Sequence, residues 1–247
     1  MPSTESAFVT GWYGKLPARG DFICRRLPGA FVERWDAWLQ SAIGSGSERL
    51  GTRWLDCYSR APVWRFLLSP GLVTGGALAG VLMPSADRVG RLFPLTIASV
   101  LAPGSVDLAK TLVEADAWFA SLEAAARAAL DPALDLDAYD ERINAIVFPA
   151  GNIVPLKPDG EPVRTKLAES IRTRAIHARV GLEQNRPSEA AIARLRARFG
   201  GETEPCALWL TRSSRVFGEW ALATAGLPQD EQFCAMLDGD WRGHGWS

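Results

Sequence analysis

Apolar positions recur at helical spacing from Pro28 to about Ile43. Phe31, Trp35, Trp38, Leu39 and Ala42 share one side of that wheel, and Glu33, Arg34, Asp36 and Gln40 fall elsewhere. The run Gly44-Ser-Gly-Ser is expected to end this helix. The pattern then changes. Residues 63–68, 76–82 and 92–100 are apolar runs of strand length, separated by Pro70-Gly71 and by the turn-rich stretch 84–90. With no helical period between them, they predict neighbouring antiparallel strands. An aromatic run at 8–13 predicts a first strand, followed by a loop-like segment over 15–24. A second helical period runs from Ser105, a plausible N-cap, to about Leu130. Its Leu108, Leu112, Ala115, Phe119 and Leu122 form one face. Lys110, Asp116, Glu123 and Arg127 lie largely off that face.

The second half is more broken. Asp131-Pro132 and the acidic stretch 135–140 read as a connector, followed by a short helix to about Val147 and a Pro/Gly loop over 149–162. Helical period returns over 163–182 and again over 189–199, where Gly200-Gly201 stops it. Residues 207–211 and 216–223 predict a hairpin around 212–215, and 228–237 a last helix with proline near its first turn. The fold class expected is α+β: a mainly antiparallel sheet flanked by helices, with a smaller, helix-rich α+β second half. Residues 1–140 form the expected amino-terminal domain, and 141–247 a carboxy-terminal region packed against it.

Composition narrows the function classes. A 247-residue chain that is 47% hydrophobic and 22% charged is ordinary globular protein. A net charge of −1 does not suit a polycation for nucleic acid. Residues 157–198 carry +5, leaving −6 for the remainder, and such asymmetry can steer an acidic partner. No aromatic platform is interleaved with those charges, so nucleic-acid binding is not expected. Ten tryptophans fit core filling better than an interface. Cys24, Cys57, Cys206 and Cys234 lack C-x-x-C spacing, and His177 and His244 are the two histidines, so a zinc site is not expected. The start has neither a basic nor an apolar leader region, and no stretch reaches the ~18 apolar residues of a membrane helix. A soluble cytoplasmic protein with reduced thiols and no cofactor is the expectation.

Candidate chemistry concentrates in two loop-like segments. The first is GWYGKLPARGDF over 11–22, and the second is PSADRVGRLFPL over 84–95. Each sets charged groups among glycines, prolines and aromatics, as suits ordered loops that carry function. The candidate binding residues are Lys15, Arg19, Asp21, Ser85, Asp87, Arg88 and Arg91. Gly11 to Lys15 departs from a phosphate loop, because Gly11 sits too near Gly14 and Leu16 stands where Ser or Thr would hold magnesium. Ser85 and Asp87 can satisfy their own backbone in a turn, with Gly90 free to go left-handed. The arginines can fork onto carboxylate or phosphate. The alternative is a small phosphate- or acyl-handling hydrolase using Ser85, Asp87 and Arg91, although Ser85 lacks a G-x-S-x-G context. A structural subunit of a membrane-associated assembly is a third reading, favoured if most tryptophans prove exposed.

These strings also carry a resemblance. With RWDAWLQ (34–40), APVWRFLLSPG (61–71) and AGVLMPSADRVGRLFPL (79–95), the first half resembles the TagF/ImpM proteins that accompany bacterial type VI secretion systems. The resemblance implies a sheet with helices on both sides, an α/β/α sandwich similar to longin or profilin-like modules. It implies a non-catalytic cytoplasmic accessory factor that restrains secretion after translation by engaging a forkhead-associated scaffold protein. It brings no catalytic residues.

Overall fold

The computed structural model describes residues 8–101, 106–153, 176–179, 182–183, 186–187, 206–214 and 218–246. A strand that is apolar on both faces must be covered on both sides, and the central strands here are of that kind. In β3 (Trp64–Leu68), Trp64, Phe66 and Leu68 enter one core while Leu67 enters the other. The same alternation runs through β4 (Leu78–Met83), where Leu78 and Leu82 oppose Ala79, Val81 and Met83.

Eight strands form one sheet in the order β2-β1-β5-β4-β3-β9-β10-β6. The remaining members are β1 (Thr10–Gly14), β2 (Ile23–Arg25), β5 (Leu95–Val100), β6 (Ile176–Arg179), β9 (Cys206–Ser214) and β10 (Gly218–Ala225). Every pairing is antiparallel. Two short strands, β7 (Leu182–Glu183) and β8 (Arg186–Pro187), pair apart from it. On one face lie α1 (Gly29–Leu50), α2 (Trp54–Arg60) and α6 (Asp230–Asp238), packed on Trp35, Phe66 and Trp209. On the other lie α3 (Leu108–Glu114), α4 (Asp116–Ala128) and α5 (Leu136–Asn144), around Phe119, Leu122 and Tyr139. The architecture is the expected α+β sandwich. Its sheet runs across residue 140, because β9 pairs directly with β3.

Several elements differ from the sequence pattern, each for a local reason. Helix α1 passes straight through Gly44-Ser-Gly-Ser to Leu50. Gly46 is buried against Trp54, where an added Cβ would come within 2.8 Å of the indole ring. The glycine there serves close packing and is not a stop. The period over 105–130 is two helices that break at Ala115. Ser105 lies outside the described residues, and Asp107 caps α3 by accepting a hydrogen bond from the Lys110 backbone N–H. The acidic stretch read as a connector begins a helix, with Asp135 accepting from the backbone of Asp137 and Ala138. The helix expected over 163–182 falls mostly outside the described residues, and where it is described it is strand, β6 at 176–179 beside β10 and the start of β7 at 182. The helix over 189–199 and most of the basic stretch 157–198 lie outside them too.

The ten tryptophans serve the core, seven buried and three half-buried. The exposed tryptophans that would favour the structural-subunit reading are therefore not there. A further charge enters the core unannounced by the pattern. Arg65, in the apolar run of β3, is 1% exposed and donates to Glu123 at 2.6 Å and Asp116 at 2.7 Å. Arg212 of β9 donates to the same Asp116 at 2.6 Å. Glu123 is therefore buried although it lies off the apolar face of its helix.

Candidate binding site at the paired loops

The topology brings the two motifs to one end of the sheet. Strands β1 and β4 flank β5 and are antiparallel to it, so both run in the same direction. The loop that leaves β1 and the loop that leaves β4 therefore emerge side by side.

They are bonded into one unit. Lys15 Nζ donates to Asp87 Oδ2 at 3.1 Å, and Arg91 Nε donates to the same oxygen at 2.6 Å. Asp87 Oδ1 accepts from the backbone N–H of Val89 at 3.0 Å and of Arg91 at 2.9 Å. Three further bonds cross from loop to loop. Ser85 Oγ donates to the Lys15 carbonyl at 2.7 Å, Arg91 Nη2 donates to the Gly20 carbonyl at 2.6 Å, and the Arg88 N–H donates to the Arg19 carbonyl at 2.9 Å. Gly90 closes the turn at φ +85°, the left-handed region expected of it, with its N–H on the Asp87 carbonyl.

Electrostatics follow from this geometry. Burial of Asp87 pushes its carboxyl up, but the N–H donors of Arg91, the Lys15 ammonium, the Arg91 guanidinium and the Val89 N–H outweigh it. The net effect holds the group far below the usual carboxylate range. Asp87 is thus an anion throughout ordinary conditions, and a fixed one.

Support for the loops comes from residues the pattern did not single out. Tyr58 of α2 donates to the Ser85 carbonyl at 2.9 Å and accepts from the Ser85 N–H at 3.2 Å. Burial raises its phenol well above the ordinary value, so it stays protonated and able to donate. Phe22 stacks on Tyr13 at 5.8 Å and meets Phe93 edge-on at 4.7 Å, with the Lys15 ammonium 4.8 Å from its ring centre. The Tyr13 hydroxyl donates to Asp36 of α1, which ties the aromatic group to the helix layer.

The seven candidate residues therefore divide by depth. Lys15, Ser85 and Asp87 are buried and hold the loops together. Arg19, Asp21, Arg88 and Arg91 are exposed, and only these four can meet a partner directly. Exposed beside them are Phe22 at 47% and Val89 at 69%, which the candidate set omitted. Their signal was a large apolar residue inside a polar turn.

Ser85 is poorly placed for hydrolysis. Its hydroxyl is committed to the Lys15 carbonyl, Asp87 is committed to two cations, and His244 pairs with Asp238 of α6 at 3.1 Å. The His177 side chain lies outside the described residues. Among the described residues no cluster of His, Cys, Asp and Glu could hold a metal, and no helix is long and apolar enough to cross a membrane.

Fold and site together define an α/β/α sandwich that presents two clasped loops at one end of its sheet. The family described as TagF N-terminal domain, type VI secretion system-associated, matches residues 11–146, and the chain belongs to it. Among solved structures, that of PA0076 from Pseudomonas aeruginosa PAO1 is similar. It is 33% identical over 94% of each chain, with a TM-score of 0.71. Comparison with curated proteins gives no match. The chain is thus a type VI secretion-associated protein.

Proposed function

We propose that this protein is a non-catalytic cytoplasmic accessory factor that restrains type VI secretion after translation. It does so by binding a forkhead-associated scaffold component of the apparatus, through the clasped loops, and so keeps the apparatus from assembling. Neither nucleic acid nor membrane insertion enters this reading. Residues 1–140 act as the binding domain, and 141–247 as the region that supports it.

The observation that carries the reading is the clasp itself. Two motif loops are fixed by buried ionic and hydrogen bonds, yet they present exposed arginine and aromatic groups, the residue types that anchor protein interfaces. A preorganised surface loses little freedom on binding. The commitment of Ser85 and Asp87 to the clasp favours binding over hydrolysis.

The test is made in cells. Excess wild-type protein is expected to lower export through the apparatus without lowering the amounts of its components. Excess protein carrying Arg88→Glu and Arg91→Glu is expected to leave export untouched. Suppression by both proteins alike would remove the loops from the mechanism.

A further inference from the structure

The geometry points to the exposed rim of the clasp as a docking surface for an acidic segment that carries an apolar side chain between its carboxylates. This rests on the binding reading above and adds the chemistry of what is bound.

Charge decides the sign. The rim exposes Arg19, Arg88 and Arg91 against one exposed acid, Asp21. The second acid of the motifs, Asp87, contributes no attraction for a cationic partner, because its buried carboxylate is matched by Lys15 and Arg91 together. With Arg91 already counted at the rim, Lys15 and Asp87 cancel inside the clasp and take nothing from the rim's positive charge. Arg88 makes no side-chain hydrogen bond or ion pair among the described residues, and Arg19 reaches only the carbonyl of its neighbour Ala18, at 3.4 Å. Both guanidinium groups are available to carboxylates, which they bind in a planar fork.

Two large apolar groups share this rim. Phe22 is held by Tyr13 and Phe93 on one side, and Val89 is carried by the turn that Asp87 ties down. Phe22 touches Lys15, Lys15 touches Asp87, and Asp87 holds Val89, so the two belong to one bonded unit. An apolar side chain set between carboxylates can lie on Phe22 and Val89 while its neighbours meet the arginines. A basic segment would face three guanidinium groups, and a wholly apolar one would leave those of Arg19 and Arg88 without a carboxylate.

The test uses the full chain and a short synthetic peptide, acetyl-Glu-Glu-Leu-Phe-Glu-Glu-amide, with its counterpart in which lysine replaces glutamate. Backbone amide shifts are followed in NMR titrations. The acidic peptide is expected to shift Phe22, Arg88 and Val89 saturably, and the lysine peptide to leave them still. The double variant R19E/R88E is expected to weaken the acidic peptide at least about tenfold, while the remote control R142E on α5 keeps it. Should the double variant fail to fold, V89D carries the same expectation. Equal response to both peptides, shifts centred elsewhere, or no shift at all would overturn the proposal. The same proteins are then titrated with the purified scaffold. A scaffold that ignores the wild type, with the peptide result intact, removes only the functional reading. A scaffold that binds R19E/R88E and wild type equally overturns the rim and leaves only scaffold binding, by some other surface, in place.

Discussion

Asp87 is a single buried carboxylate that fixes two loops from within. Removing the charge from water opposes ionisation, and four donors from two loops reverse that effect. Replacing it by asparagine would leave the Lys15 ammonium, 7% exposed, without its anion. D87N is therefore expected to melt below the wild type at neutral pH. The sign of the pH dependence follows from the lowered pKa. A carboxyl depressed in the folded state adds stability that is whole above its unfolded value of about 4. That stability is lost as pH falls from there through the folded value. The gap between wild type and D87N should accordingly stay constant from pH 8 to about pH 5 and narrow below about pH 4. Thermal denaturation across pH checks this, and a gap that closes near neutrality would contradict the clasp.

At the level of elements, α1 makes the sharper case, because its sequence argues for a stop that the fold does not make. Gly44 and Gly46 sit two residues apart in one helix, with opposite surroundings. Nothing lies within 4 Å of a Cβ at Gly44, whereas one at Gly46 meets Trp54. G44A is expected to stabilise the protein by up to about 1 kcal/mol, since it removes glycine's entropy from an exposed helix position. G46V is expected to destabilise by about 1–3 kcal/mol through overpacking. Chemical denaturation of both variants is the check, and equal effects would argue against a continuous helix. The pattern did reveal the buried stripe Phe31-Trp35-Leu39-Ala42, the three central strands and the β9–β10 hairpin, because each is dominated by its own periodicity. It missed β2, whose three residues are too few to show a period and which exists by pairing with β1. It read 176–179 as helix because Ala175, Ala178 and Leu182 fit that spacing, while the open edge of β10 decided otherwise. In the site, the crowding of charges in two loops was legible. The depth of Lys15 and Asp87, and the contribution of Tyr58 from a helix too short to predict, depend on tertiary packing and were not.

Across the whole molecule, two cores clamp one sheet, and the carboxy-terminal strands complete it. The contact between Arg65, Asp116 and Arg212 ties β3, α4 and β9 together, so strands from both halves of the sequence share a part-buried charge network. The loops thus stand on a sheet that draws on both halves of the chain, which gives a binding surface a rigid base. On the proposed function, this surface engages the forkhead-associated scaffold. Isothermal titration calorimetry of the 247-residue chain against that purified scaffold is the decisive check. Saturable binding at or below about 1 μM, equivalent to about −8 kcal/mol, is expected, weakening at least about tenfold in R19E/R88E. No heat of binding at several temperatures, with both proteins folded, would contradict it.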